Sequence, residues 1–283
     1  MNEKIKNLVF NSFGFWAFEI IKNHQFQLIS KNKKFKNIHR GERCFVFGNG
    51  PSLKDVDFSL FKDEYVFTVN QLARRADYCK LNANYHLWSD FNFFDETNIT
   101  EELIDSMKNV NVGQNRVQCF FPADVEPFLV KHGIATAIDC NYFKIRTSFY
   151  DGFDEKIDFS KFMPSLSTVV HYAIFLAIYM GFSEIYLLGV DTTQIMVQIK
   201  SFLQENDEND YSYEVTKSEK KRMENLLQQH SLESYAFGFW HLLLTYRTLN
   251  QYCQKRGIRL INCSKVTTID SIARIPLEHV LCE

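Results

Sequence analysis

The chain has 283 residues, 46% of them hydrophobic and 23% charged, which is ample for a buried core. Its formal net charge of −2 argues against a nucleic-acid partner, because phosphate backbones demand a clear basic excess. Seven scattered cysteines with no Cys-x-x-Cys pair (Cys44, Cys79, Cys119, Cys140, Cys253, Cys263, Cys282) read as reduced thiols of a cytoplasmic protein, neither a disulfide framework nor a zinc site.

In chain order, residues 5–21 are apolar and aromatic but interrupted by Lys6, Asn7, Asn11 and Glu19. No small-residue cleavage site follows, so a signal peptide is not expected, and no run reaches the roughly 18–20 apolar residues that cross a bilayer. A basic run comes next: Lys31, Lys33, Lys34, Lys36 and Arg40. Two readings stand level. One is an aromatic amphipathic helix with a basic linker, peripheral on the inner face of the cytoplasmic membrane. The other is a helix packed on the main domain with a solvated linker. Either way residues 1–40 read as a helical appendage to a domain spanning 41–283.

Arg43–Gly48 is a short apolar run ending in glycine, the pattern of a buried parallel strand. Glu64–Asn70, Asn84–Ser89 and Val117–Phe121 read as further strands. A helix is expected over Asn98–Asn109, with Asn98 or Thr100 as cap, and another over Asp124–His132, closed by Gly133. Residues 134–165 are ambiguous between short strands and loop. Ser167–Gly181 is apolar nearly all round, as a buried helix is, and runs into a strand at Glu184–Leu188 followed by Gly189-Val190-Asp191. Residues 192–215, with their acidic stretch, read as a loop; helices are expected over Lys217–His230 and Ser234–Arg256, then a strand at Ile258–Cys263 and a short tail helix. Alternating strands and helices indicate a mainly parallel sheet covered on both faces, a Rossmann-like α/β fold.

Chemistry is expected at the strand ends, since ligands of open α/β sheets sit beyond the carboxyl edge. Gly48-Asn49-Gly50-Pro51-Ser52 follows the first strand, where glycines admit a phosphate close to backbone N–H groups. Asn70-Gln71, Ser89-Asp90 and Gly189-Val190-Asp191 end others with groups suited to ribose hydroxyls and base edges. Asp55-Val56-Asp57 has the letters of a metal-binding Asp-x-Asp but sits in a turn-and-cap context. His171 on the apolar helix and His86 within a strand read as structural.

The segments GNGPSLKDVDFS, VFTVNQ and GFSEIYLLGVD together resemble the bacterial sialyltransferases of glycosyltransferase family 42. They also resemble the MptE-like and motility-accessory domains of surface-polysaccharide loci. The resemblance covers roughly residues 42–110 and 165–265. It implies a GT-A-like variant of the Rossmann-like fold, with Asn49, Gly50, Asn70 and Ser89 holding the CMP part of a CMP-sugar. It places the catalytic base at His241, with His230 as second choice, preceded by an aromatic Gly238-Phe239-Trp240. The family's two phosphate-stabilising tyrosines are replaced here by Thr193 and Ile199, with Tyr211 and Tyr213 nearest. The serine–glycine pair opening its buried helix is replaced by Thr168-Val169 or Ser165–Ser167.

The resulting expectation is a metal-independent glycosyltransferase using a nucleotide-activated sugar and a glycan or glycolipid acceptor, without cofactor and open to homo-oligomer formation. The alternatives are a diphosphokinase of the MptE-like kind, using ATP and magnesium, and a non-catalytic nucleotide-binding assembly protein.

Overall fold

The computed structural model describes residues 24–97, 99–113, 116–149, 156–202, 212, 216–217, 220 and 231–282. Among the described residues, nine parallel strands form one open sheet in the order β6-β5-β4-β3-β2-β1-β7-β8-β9. They are β1 (Arg43–Phe47), β2 (Tyr65–Val69), β3 (Tyr85–Leu87), β4 (Gln118–Pro122), β5 (Asp139–Phe149), β6 (Phe162–Ser165), β7 (Glu184–Leu188), β8 (Arg259–Asn262) and β9 (Ala273–Arg274). Among the described residues the α-helices are α1 (His24–Ser30), α2 (Glu101–Lys108), α3 (Glu126–Lys131), α4 (Ile134–Ala137), α5 (Val169–Met180), α6 (Gln194–Phe202), α7 (Leu232–Lys255) and α8 (Leu277–Leu281).

The strand residues alternate between two cores, as the period of two requires. Phe45 and Phe47 of β1 enter one core with Leu28 and Ile29 of α1, Leu103 of α2 and Val280 of α8. Cys44 and Val46 enter the other with the apolar flank of α5 and with Tyr246 and Leu249 of α7. A central strand must therefore be apolar on every residue, which is why Arg43–Phe47 reads as an unbroken run.

Helix ends follow the sequence. Thr100 accepts a hydrogen bond from the Leu103 N–H at the start of α2, and Gly181 ends α5 at φ +95°, a conformation open to glycine. The ambiguous stretch 134–165 resolves into α4, the eleven-residue β5 and β6. The loop expected over 192–215 is corrected at its start: residues 194–202 form α6, which packs against α7. The acidic stretch further on makes the whole segment read as loop in sequence. Most of Lys217–His230, including His230, and the apolar segment 5–21 lie outside the described residues, as do Tyr211 and Tyr213.

Residues 24–40 are built into the domain. Leu28, Ile29, Asn32, Phe35 and His39 are buried, and Asn32 Nδ2 donates to the carbonyls of Tyr142 and Phe159. Among the described residues, no helix is long and apolar enough to cross a membrane.

Candidate active site

The strand order reverses direction at β1, which is flanked by β2 on one side and β7 on the other. In open α/β sheets ligands sit beyond the carboxyl edge near such a reversal. Gly48 to Ser52 and Gly189 to Asp191 meet at this point and are knitted together. The Gly50 N–H donates to the Gly189 carbonyl at 2.8 Å, and Ser52 donates its N–H to Asp191 Oδ2 at 2.8 Å and its hydroxyl to Oδ1. Asp191 is buried. Its carboxylate therefore takes the donors that a bound phosphate would otherwise take, and the glycine loop carries its own anion. A Cβ on Gly50 would lie 2.5 Å from Asp191 Cγ, so the close approach requires glycine. Pro51 opens a single 3-10 turn over Pro51–Leu53.

Asn49 turns toward β2, where its Nδ2 donates to the Val69 carbonyl at 3.3 Å. The next residue, Asn70, adopts a left-handed φ of 48°, which asparagine tolerates better than most side chains. A buried relay fixes it there. His86 Nε2 meets the Asn70 carbonyl at 2.9 Å, so that nitrogen carries the ring proton. Nδ1 then accepts from Thr68 Oγ1 at 2.7 Å, and Tyr78 donates to Thr68 at 3.0 Å. Burial holds the His86 pKa down at about 3, so the ring stays neutral and this directionality persists. The Oδ1 atoms of Asn49 and Asn70 are both buried with no hydrogen-bond partner among the described residues. Buried acceptors of this kind favour a ligand able to donate.

A cavity of about 560 Å³ opens beside Asn70, within the range of small-molecule sites. Ser89, Asp90 and Asn92 wall it from the end of β3, Ser165 to Thr168 from the end of β6, and Tyr172 from α5. Thr168 is the N-cap of α5, yet its side chain caps no N–H. The first-turn amides of this helix therefore keep their positive end toward the cavity.

His241 stands one hydrogen bond behind this wall. Its Nδ1 lies 2.8 Å from Ser167 Oγ. The ring is buried, and desolvation lowers its pKa from the ordinary 6.5, so it is neutral at pH 7. The Trp240 ring lies 6.3 Å from it but is 55% exposed. Ser167 thus joins the polar cavity to a neutral imidazole, a pairing suited to moving a proton.

The sequence-predicted residues fall into two groups. Asn70, Ser89, Asp90 and Thr168 line the cavity, and His241 reaches it through Ser167. Gly48, Gly50, Ser52, Gly189 and Asp191 form the switch-point knot, with Asn49 between the groups. Gln71 is turned to Arg74, and Asp90 also caps the turn after β3 through the Asn92 N–H. His171 is a buried core side chain, stacked edge-on to Tyr246 at 4.1 Å. Asp57 of the Asp-x-Asp letters caps a 3-10 turn through Ser59. Among the described residues no group of three or more His, Cys, Asp or Glu side chains is arranged to hold a metal.

No protein-family model matches the chain, and no curated protein gives a significant match. Among solved structures, it is similar to the sialyltransferase CstII from Campylobacter jejuni in complex with a substrate analogue, cytidine-5'-monophosphate. The identity is 18% over 82% of this chain and 84% of that one, with a TM-score of 0.36.

Proposed function

We propose that this chain is a glycosyltransferase that moves a sugar from a nucleotide donor to a hydroxyl of a surface glycan or glycolipid, without a metal. The observation that carries the reading is Ser167 on the wall of a polar, nucleotide-sized cavity with His241 hydrogen-bonded behind it. Asn70, Ser89 and Asn92 offer amide and hydroxyl groups to ribose and base, and the start of α5 offers its positive end to phosphate. The similarity of the glycine loop and the Asn70-Gln71 pair to the family 42 motifs favours a CMP-sugar, whose single phosphate leaves no diphosphate for a metal to bridge.

The step balances as follows. The acceptor oxygen bonds to the anomeric carbon as the bond from that carbon to the donor phosphate oxygen breaks. The acceptor proton passes to Ser167 Oγ while the Ser167 proton passes to His241 Nδ1, and the nucleotide leaves with the bonding electrons. A neutral His241 is the state this relay needs at the outset.

The test is a thermal-shift screen with CMP, UDP, GDP and ATP, followed by transfer assays on the preferred donor. A cytidine preference is expected, and His241→Ala should reduce transfer by about 10²–10⁴-fold while donor affinity stays near wild type. Full turnover by that variant would exclude the assigned role. Magnesium-dependent release of AMP would favour the diphosphokinase instead.

A further inference from the structure

The polybasic run is rigidly displayed, and at the end of the molecule opposite the cavity. Lys31, Lys33, Lys34, Lys36 and Arg40 are all exposed, while the residues between them (Asn32, Phe35, His39) are buried. Burial of one set forces the other outward, so the cations share one surface. Backbone hydrogen bonds from Asn37, His39 and Gly41 to the carbonyls of Tyr179, Met180 and Gly181 fasten the run to the C-terminal end of α5. That end also carries the negative pole of the helix. Gly41 leads directly into the first residues of β1, so the strip lies where the strands begin.

The acidic groups at this edge are already engaged. Glu42 pairs with His39, Glu64 with Arg43 and Glu184 with Arg259. Asp158, near Tyr179, accepts hydrogen bonds from the Ser160 N–H and hydroxyl. Among the described residues, no ion pair engages the five cations, and Lys34 only lies 4.7 Å over the Phe35 ring. Ile38 stands among them at 48% exposure.

We infer that this strip is a docking surface for an anionic phospholipid bilayer, and that the bound protein holds its cavity away from the lipid. Four to eight clustered cations are what an anionic leaflet attracts. The exposed Ile38 and the apolar, aromatic residues 5–21 just upstream favour a lipid surface over a nucleic acid. The orientation follows from α5, whose twelve residues separate Thr168 at the cavity from Gly181 at the strip by about 18 Å. An acceptor would then be reached at a distance from the headgroups.

The experiment is sedimentation of the full chain with phosphatidylcholine vesicles, with and without phosphatidylglycerol, over a salt series. Binding is expected only to the anionic vesicles and should weaken as salt rises. Lys33→Glu combined with Lys34→Glu and Lys36→Glu, all on exposed sites, should weaken it by about a hundredfold or more. Orientation is read with a fluorophore at Ile38→Cys or Phe91→Cys, in a background with Cys79→Ser and Cys282→Ser, against headgroup-attached quenchers. Quenching is expected at position 38 and not at 91. Equal binding to neutral vesicles, no vesicle binding, tighter binding to mixed-sequence DNA, or equal quenching at both positions would each overturn the inference. None of these readouts depends on the transferase reading.

Discussion

Replacing Asp191 tests whether the glycine loop carries its own anion. Its carboxylate accepts two hydrogen bonds from Ser52, one from the N–H and one from the hydroxyl. Bonds to a charged partner contribute about 1.5–3 kcal/mol each. Ser52 is half-buried, so water replaces part of the loss and the lower end applies, giving about 3 kcal/mol for Asp191→Ala. In a chain of this size that corresponds to a drop of about 6–12 °C in Tm. Asp191→Asn keeps an oxygen for the Ser52 N–H, and the serine hydroxyl can rotate to accept from the new amide, so its loss should be about 1 kcal/mol. The assay is thermal melting together with urea titration, in which the midpoint should move at constant m-value. Nucleotide affinity of the folded Asp191→Asn protein should stay within about threefold of wild type, since this carboxylate faces inward. An Asp191→Ala protein melting within about 2 °C of wild type would refute the reasoning, and a large affinity loss in the Asn variant would return Asp191 to the ligand.

Further outcomes follow from the same geometry. Acid should unfold the protein early, because burial depresses the pKa of both His86 and His171 from 6.5 to about 3. The unfolded chain then binds more protons than the folded one between those values, so this stability is present above pH 6.5 and is lost as pH falls toward 3, by about 4 kcal/mol for the pair at pH 5. His171→Leu should halve that dependence in chemical denaturation, since both ring nitrogens of His171 are buried with no hydrogen-bond partner among the described residues. In transfer assays, the acid limb of kcat should lie below pH 6.5, the ordinary imidazole value, because His241 is lowered by desolvation. Ser167→Ala should reduce kcat at least tenfold with little change in donor KM, and a kcat within twofold of wild type would exclude the relay. Gly50→Ala should lose about 2 kcal/mol or more by steric conflict with Asp191. Gly238→Ala, in open space on α7, should gain about 0.5–1 kcal/mol in the same melts.

The central strands were readable because their surroundings are uniform. Cys44 to Phe47 and Ile185 to Leu188 are buried on both faces, so periodicity and environment agree. At the sheet's far end this agreement fails. β5 mixes Asp139, Asn141, Lys144 and Arg146 with apolar residues, and polar letters in a partly covered strand look like loop. The site was legible by type and only partly by partnership. Asn70 and Ser89 could be named from their strand ends and His241 only through the family resemblance, while Ser167 could not be singled out, because the contact that distinguishes it lies 74 residues away on α7. The engagement of Asp191 with Ser52 was hidden in the same way. The His86 relay had a signal, a histidine inside an otherwise apolar strand, whose meaning depends on the neighbouring Thr68.

The position of β1 in the sheet has a consequence for how the chain matures. Ser52 and Asp191 are 139 residues apart, so a ribosome adding roughly 5–20 residues per second leaves the newborn glycine loop without its anion for about 7–28 s. During that interval one flank of the first strand is an open template for any passing extended segment. A nascent chain halted before residue 184 should therefore lean on chaperones in a way that the completed one does not.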